Sequence, residues 1–275
     1  MKNNDVSLDL DDDDRPIGHV LTRREVIALV GATGLVACTP GALSGASPTA
    51  SSAATAAASA AATAAPTATA TTGGTVATPS CIVRPALTEG PYFVDEKLNR
   101  SDVRTNTPTN AQKPGTQFNL TFNVARVASA GCTSLANAQV DIWHCDAAGV
   151  YSDSTDPGFG STRGQNFLRG YQMTDASGRA SFVTIYPGWY QGRAVHIHFK
   201  IRTTSGGQTA DFTSQLFFDD SLNAEVFATA PYSSKGTGWL RNAQDGIYTG
   251  GGSNLILKPT KSGSVYSATF DIGLA

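Results

Sequence analysis

Several features are scarce in this chain of 275 residues, and each scarcity excludes something. No apolar run reaches the roughly 18 residues that a membrane-spanning helix requires. No basic run is present either. The formal charge of −2 reflects acids crowded at the start: the first 80 residues hold 4 of the 20 bases and 7 of the 22 acids, which leaves 16 against 15 for the remainder. A near-neutral remainder without a basic stretch argues against nucleic acid as the partner. Histidine occurs only at His19, His144, His196 and His198, and cysteine only at Cys38, Cys81, Cys132 and Cys145. Helical patterning is nearly absent, with one short candidate over 221–227.

What is present begins with a leader. Asp9 and Asp11 to Asp14 form an acidic, solvated run, followed by Thr22-Arg23-Arg24-Glu25 and a short apolar stretch ending at Ala37. An Arg pair before a weakly hydrophobic, Gly- and Ala-containing segment resembles a twin-arginine export signal. Leu35-Val36-Ala37-Cys38 resembles a lipobox, which would make Cys38 the lipidated first residue of the mature protein; a coincidental Cys in a plain signal is the alternative. The expectation is export to the periplasm or cell surface, with any membrane attachment through a lipid at Cys38. Residues 39–78 are Ala, Thr, Ser, Pro and Gly with almost nothing else and no charge. Such a segment buries too little apolar surface to offset its ordering entropy, and it reads as a linker. A folded domain is expected over 79–275.

Within that domain short strand-like runs recur between turn signals. Residues 118–125 alternate apolar and polar side chains at period two, and 138–145, 171–174, 180–185, 195–203, 213–218, 255–258 and 265–272 read as further strands. Asp175-Ala176-Ser177-Gly178 is a hairpin turn signal. Regular short strands with Gly-rich turns predict an all-β fold, an antiparallel β-sandwich.

The run Ala194-Val195-His196-Ile197-His198-Phe199 carries the chemistry. Successive strand side chains face opposite ways, so His196 and His198 share one face. Two imidazoles on a rigid strand make a natural metal pair. Tyr186-Pro187-Gly188-Trp189-Tyr190 lies just upstream, with Arg193 between. A second stretch, Val140-Asp141-Ile142-Trp143-His144-Cys145-Asp146-Ala147-Ala148-Gly149-Val150-Tyr151, runs from a strand through a turn to Tyr151. Two more are Thr88-Glu89-Gly90-Pro91-Tyr92-Phe93 and Thr213-Ser214-Gln215-Leu216-Phe217.

In this order over 81–275, the four motifs resemble the intradiol ring-cleavage dioxygenases. The resemblance implies one non-haem Fe(III) per chain, held by Tyr151, Tyr190, His196 and His198. It implies a catechol-type substrate and O2, and a cis,cis-muconate-type product. It casts Tyr190 as the ligand that leaves and serves as base, Arg193 as stabiliser of negative charge, and Gln215 as a hydrogen bonder behind the ligands. Tyr186 competes with Tyr190 for the ligand role, and the Pro-Gly-x-Tyr turn favours Tyr190. His144 reads as a sheet-face residue rather than a further ligand. A different class of reading is a non-catalytic β-sandwich binding or structural lipoprotein that keeps the fold and metal site.

The chain departs from the family in a short span from Tyr190 to His196, in Arg193-Ala194-Val195-His196 where relatives carry a proline, and in the absence of a helical dimerisation segment before the sandwich. These departures bear on substrate range and leave the oligomeric state open. For the cysteines, about eight strand residues separate Ala138 from Cys145, roughly 27 Å, too far for a Cys132–Cys145 bridge whose Cα atoms must lie within about 7 Å. The family places the Gly-Pro-Tyr segment near the metal end, which favours Cys81 with Cys145; three buried thiols are the alternative.

Overall fold

A computed structural model describes residues 82–205 and 208–274. The leader, the linker, Cys38 and Cys81, and the boundaries expected at 38 and 78, lie outside the described residues. Nine strands build two stacked sheets: β1 (Gln117–Ala128), β2 (Gly131–Ser134), β3 (Gln139–Trp143), β4 (Arg169–Met173), β5 (Arg179–Ile185), β6 (His196–Ser205), β7 (Gln208–Phe217), β8 (Thr260–Ser262) and β9 (Val265–Leu274). One sheet has the order β7-β6-β3-β4 with every pair antiparallel. The other runs β8-β9-β1, and the far edge of β1 is shared by β5 and β2. The expected antiparallel sandwich holds but for one pair, since β9 runs parallel to β1.

The alternation that identified β1 is the alternation that builds the core. Phe118, Leu120, Phe122 and Val124 are buried, while their neighbours Gln117, Asn119, Thr121 and Asn123 are partly exposed. From the facing sheet come Val140, Ile142, Ile197, Phe199, Ile201 and Leu216, all buried. Phe122 meets Phe199 at 5.3 Å and Phe270 at 5.9 Å between ring centroids. Each such side chain contributes about 1.5–3 kcal/mol by leaving water, so this apolar layer holds the sheets together.

Two sequence expectations need correction. The run 255–258 is not a strand. Leu255 and Leu257 are buried and imitate period two, but Gly252–Leu255 coils into a 3-10 turn, leaving one bridge from Ile256 to Phe217. Pro259 then offers no N–H for a ladder, and the strand β8 starts just after it. The Cys81–Cys145 pairing also falls, because Cys145 is a free, buried thiol and Cys132 is disulfide-bonded. Cys145 lies packed with Trp143 and Tyr151, and its thiol donates to Gly188 O at 3.5 Å. The helix expected over 221–227 is α1 (Asp220–Phe227), with Val226 and Phe227 buried. Among the described residues no helix is long and apolar enough to cross a membrane.

Candidate metal centre

The register of β6 decides what gathers on the outer face of the four-stranded sheet. His198 pairs with Gln215 on β7 and with Trp143 on β3, and Trp143 pairs with Arg169 on β4. His196 and His198 therefore face the same way, as their spacing predicts, with their Nε2 atoms 2.9 Å apart. Both rings are buried. Trp143 stacks flat on His198 at 5.0 Å and 7°. Gly90, at φ +70°, lies against the His198 ring, where an added Cβ would stand 3.2 Å from Cε1. A side chain there would press on the imidazole and strain the left-handed backbone, which suits glycine in the Gly-Pro-Tyr segment.

Two loops deliver the tyrosines. After β3, Asp146 turns the chain: its Oδ1 accepts from the N–H groups of Ala148 and Val150 at 2.9 and 3.0 Å. That turn drops Tyr151, fully buried, beside the imidazoles. After β5, the Pro187-Gly188-Trp189 turn brings in Tyr190, which is partly exposed. Both hydroxyl oxygens lie 3.4 Å from His196 Nε2. Tyr186, the rival, is in the core, and its hydroxyl donates to Asn223 Oδ1 at 2.7 Å. His144 is likewise occupied, with Nδ1 on Cys145 O and Nε2 on Thr184 Oγ1. Burial pushes its pKa down to about 4.

The electrostatics favour neutral imidazoles. Burial, reinforced by Arg193, pushes the His196 pKa well down. His198 shifts the same way through burial, with His196 next. His196 Nδ1 lies 2.6 Å from Ala194 O, a carbonyl that can only accept, so Nδ1 carries the proton and Nε2 a lone pair. Ligating histidines usually donate their other N–H in this way. Burial, then the neighbouring Tyr190, raises the Tyr151 phenol well above its ordinary value, so ionising it requires a cation.

Among the described residues no three His, Cys, Asp or Glu side chains are grouped to hold a metal ion. The donor set is two imidazoles and two phenols. It fits a hard cation that accepts anionic oxygen, such as Fe(III). One lone pair on His196 Nε2 faces three polar atoms within 3.4 Å, and a single cation among them would satisfy all four.

Arg193 and Gln215 meet directly. Arg193 Nη2 donates to Gln215 Oε1 at 2.6 Å, and the Gln215 amide donates to Thr88 O at 2.9 Å. Arg193 Nε also donates to Asp245 Oδ2 at 3.0 Å, and the Ala194 N–H reaches the same oxygen at 2.8 Å. Asp245 Oδ1 meanwhile caps the short helix Gly246–Thr249 through Ile247 N and Tyr248 N. Burial opposes the charge on Asp245, but Arg193 and these backbone N–H groups outweigh it and hold its pKa down. Nothing in the sequence marks Asp245, an isolated acid far along the chain from its partner. Tyr92 was equally unmarked within its motif. Its ring stacks on Tyr151 at 4.2 Å and 16°, and its hydroxyl donates to Asp156 Oδ2 at 2.5 Å. Arg169 ties this layer together, donating to Ser152 Oγ, Ser152 O and Tyr92 O.

Residues 88–237, over half the chain, match a family model described as dioxygenase. The protocatechuate 3,4-dioxygenase beta chain of Burkholderia cepacia is 34% identical over 108 residues, covering 36% of this chain and 44% of that protein. The chain thus spans less than half the length of that relative. An intradiol ring-cleavage dioxygenase from Tetranychus urticae superposes with a TM-score of 0.60 at 28% identity, covering 70% of this chain and 94% of that one. The dioxygenase domain of a dioxygenase carbohydrate-binding protein fusion from Streptomyces sp. SirexAA-E gives 0.50 at 26%, with coverage of 70% and 98%. With four motifs in family order and the sandwich they predict, the chain belongs to the intradiol ring-cleavage dioxygenase family.

Proposed function

We propose that this chain opens a catechol-type ring between its two hydroxyl-bearing carbons with O2, using one non-haem Fe(III), to give a cis,cis-muconate-type diacid. The observation that carries the reading is the convergence of Tyr151, Tyr190 and His198 on His196 Nε2, all within 3.4 Å. These four residues would hold the metal. When bound, ferric iron supplies Lewis acidity that ionises phenols and a diol, and accepts electron density from the ring so that it reacts with O2.

The chain's own residues divide the remaining work. Tyr151 is buried beneath the Tyr92 ring and has no room to leave, which suits a permanent ligand. Tyr190 is partly exposed at the end of a turn, which suits a ligand that moves aside and takes a substrate hydroxyl proton at its oxygen. His196 is fixed in one tautomer by Ala194 O and needs no proton movement to coordinate. Arg193 cannot act as a base, since guanidinium stays protonated. Held between Asp245 and Gln215, it is a preorganised positive group that favours negative charge developing on the substrate. Trp143, Tyr92 and Phe93 pack with Tyr151 along the buried side of the site.

The test is oxygen uptake by iron-loaded protein against catechol, hydroxyquinol and protocatechuate, with ring-opened acid as the product measured. A visible tyrosinate-to-Fe(III) band and turnover of at least one diol are expected. A colourless protein that turns over none would favour a binding or structural sandwich. Export by a twin-arginine signal and lipidation at Cys38 remain part of the proposal, with Cys38→Ser expected to release the protein from membranes.

A further inference from the structure

We infer that Lys235 is a positioning residue for the tyrosine half of this site, tying the turn that carries Tyr151 to the turn that carries Tyr190. The inference rests on the reading of those two tyrosines as metal ligands.

Lys235 ends the 3-10 turn Tyr232–Lys235, remote in sequence from both loops. Its ammonium donates to Ala148 O at 2.5 Å and to Trp189 O. Ala148 belongs to the Asp146 turn that leads into Tyr151, and Trp189 directly precedes Tyr190. One cation therefore serves a carbonyl in each tyrosine-bearing loop, using two of the three donors that an ammonium offers. It also stands 4.6 Å from the Trp189 ring centroid.

The loops are in contact already, which limits how else they could be joined. Gly188 N donates to Asp146 O at 3.2 Å. Gly149, at φ +82°, has Trp189 O and Lys235 Nζ so close that a Cβ there would collide with both. Lys235 is itself held firmly. Three residues earlier Tyr232 is buried, its hydroxyl donating to Tyr186 O at 2.7 Å and accepting from Thr116 N at 3.0 Å. Tyr232 thus grips the start of the 186–190 turn and Lys235 its end. The tyrosine rings stand 5.6 Å apart at 77°, and their oxygens reach His196 from different loops. No strand ladder sets the distance between those loops, so it depends on bonds of this kind.

The test uses the full chain loaded with Fe(III), comparing Lys235→Met, which keeps the stem over Trp189 but no donor, with Lys235→Arg, which keeps charge and donors. Lys235→Gln is measured alongside, so that loss of fold in one variant leaves another to decide. The readouts are Fe(III) affinity, the position of the tyrosinate charge-transfer band, and kcat separately from KM. Lys235→Met is expected to fold, to bind Fe(III) roughly tenfold more weakly, the scale for losing a partner behind a ligand, and to shift the band. Its kcat is expected to fall more than its KM rises, and Lys235→Arg is expected to recover the band. An unshifted band with unchanged affinity in Lys235→Met and Lys235→Gln would overturn the inference while leaving the ligand assignment standing. A wild-type protein that binds Fe(III) without any such band would overturn the ligand assignment, and the role of Lys235 with it.

Discussion

On the inner face of β6, Ile197, Phe199 and Ile201 meet Phe122, Phe270 and the rest of the apolar layer; on its outer face stand His196, His198, Lys200 and Arg202. All seven belong to one run of ten residues, yet the two faces answer to different physics. The inner face needs volume and shape. The outer face needs particular atoms. Lys200 pairs with Glu89 and Arg202 with Asp95 and Asp141, while the two imidazoles face phenols. Substitutions on the inner face should therefore change stability and leave the site's colour, and substitutions at the two imidazoles should do the reverse.

The largest effect is expected at the proposed ligands. Tyr151→Phe and His198→Ala should each weaken Fe(III) binding by at least about 100-fold, more than is lost with an outer-shell partner, and bleach the visible band. Metal analysis and absorbance check this, and full colour in either variant would end the ligand assignment. Next comes Phe199→Ala, one residue from His198 but on the inner face. It should lower stability by about 3–5 kcal/mol, the usual cost of emptying an aromatic site. At a temperature where it is still folded, its iron content and band should match wild type. A bleached Phe199→Ala would show that the faces are coupled.

Arg193→Ala lies between these extremes. It should keep iron and colour and still shift the band on binding a catechol, while turnover falls by roughly 100-fold, the scale for one preorganised electrostatic contact. Near-normal turnover would make Arg193 a bystander, and a colourless variant would make it a support for the ligands.

The smallest effect is at Asp141, on the outer face but away from the proposed ligands. Burial raises its carboxyl to about 6 against an ordinary 3.8, with Arg202 opposing. The folded state thus holds this proton more tightly than the unfolded chain. The resulting stability is fully present below about pH 4 and is lost as pH rises through about 6, by about 3 kcal/mol. Asp141→Asn should remove that slope, so urea unfolding at pH 4 and pH 7 should differ less for the variant than for wild type. An unchanged slope would place the titration elsewhere.

Strand periodicity was the most legible signal. Apolar residues at every second position in β1 and β6 mark two strands and their faces from the sequence alone. It misled at 255–258, where Leu255 and Leu257 alternate but the neighbouring glycines coil the chain. Tyr151, Tyr190, Arg193 and Gln215 were legible only through motif resemblance, because nothing local separates a ligand tyrosine from Tyr186, whose hydroxyl ends in the core on Asn223. Asp245 and Lys235 leave no mark in the sequence, and Tyr92 is marked only as part of its motif, not as a partner of Tyr151. Each acts through a partner distant in sequence, by a bond that exists only after the sandwich closes.

By itself, then, the sequence determined the all-β class and the placement of His196 and His198 on one face, because side-chain direction along a strand is a local property of the backbone. Tertiary structure alone decided that Cys145 stays a free thiol against Gly188 O, that Arg193 is pinned by Asp245, and that two tyrosines from separate loops meet at one imidazole nitrogen. Those outcomes depend on how loops dock once both sheets are packed, and no short-range pattern encodes the distance between segments that lie far apart in the chain.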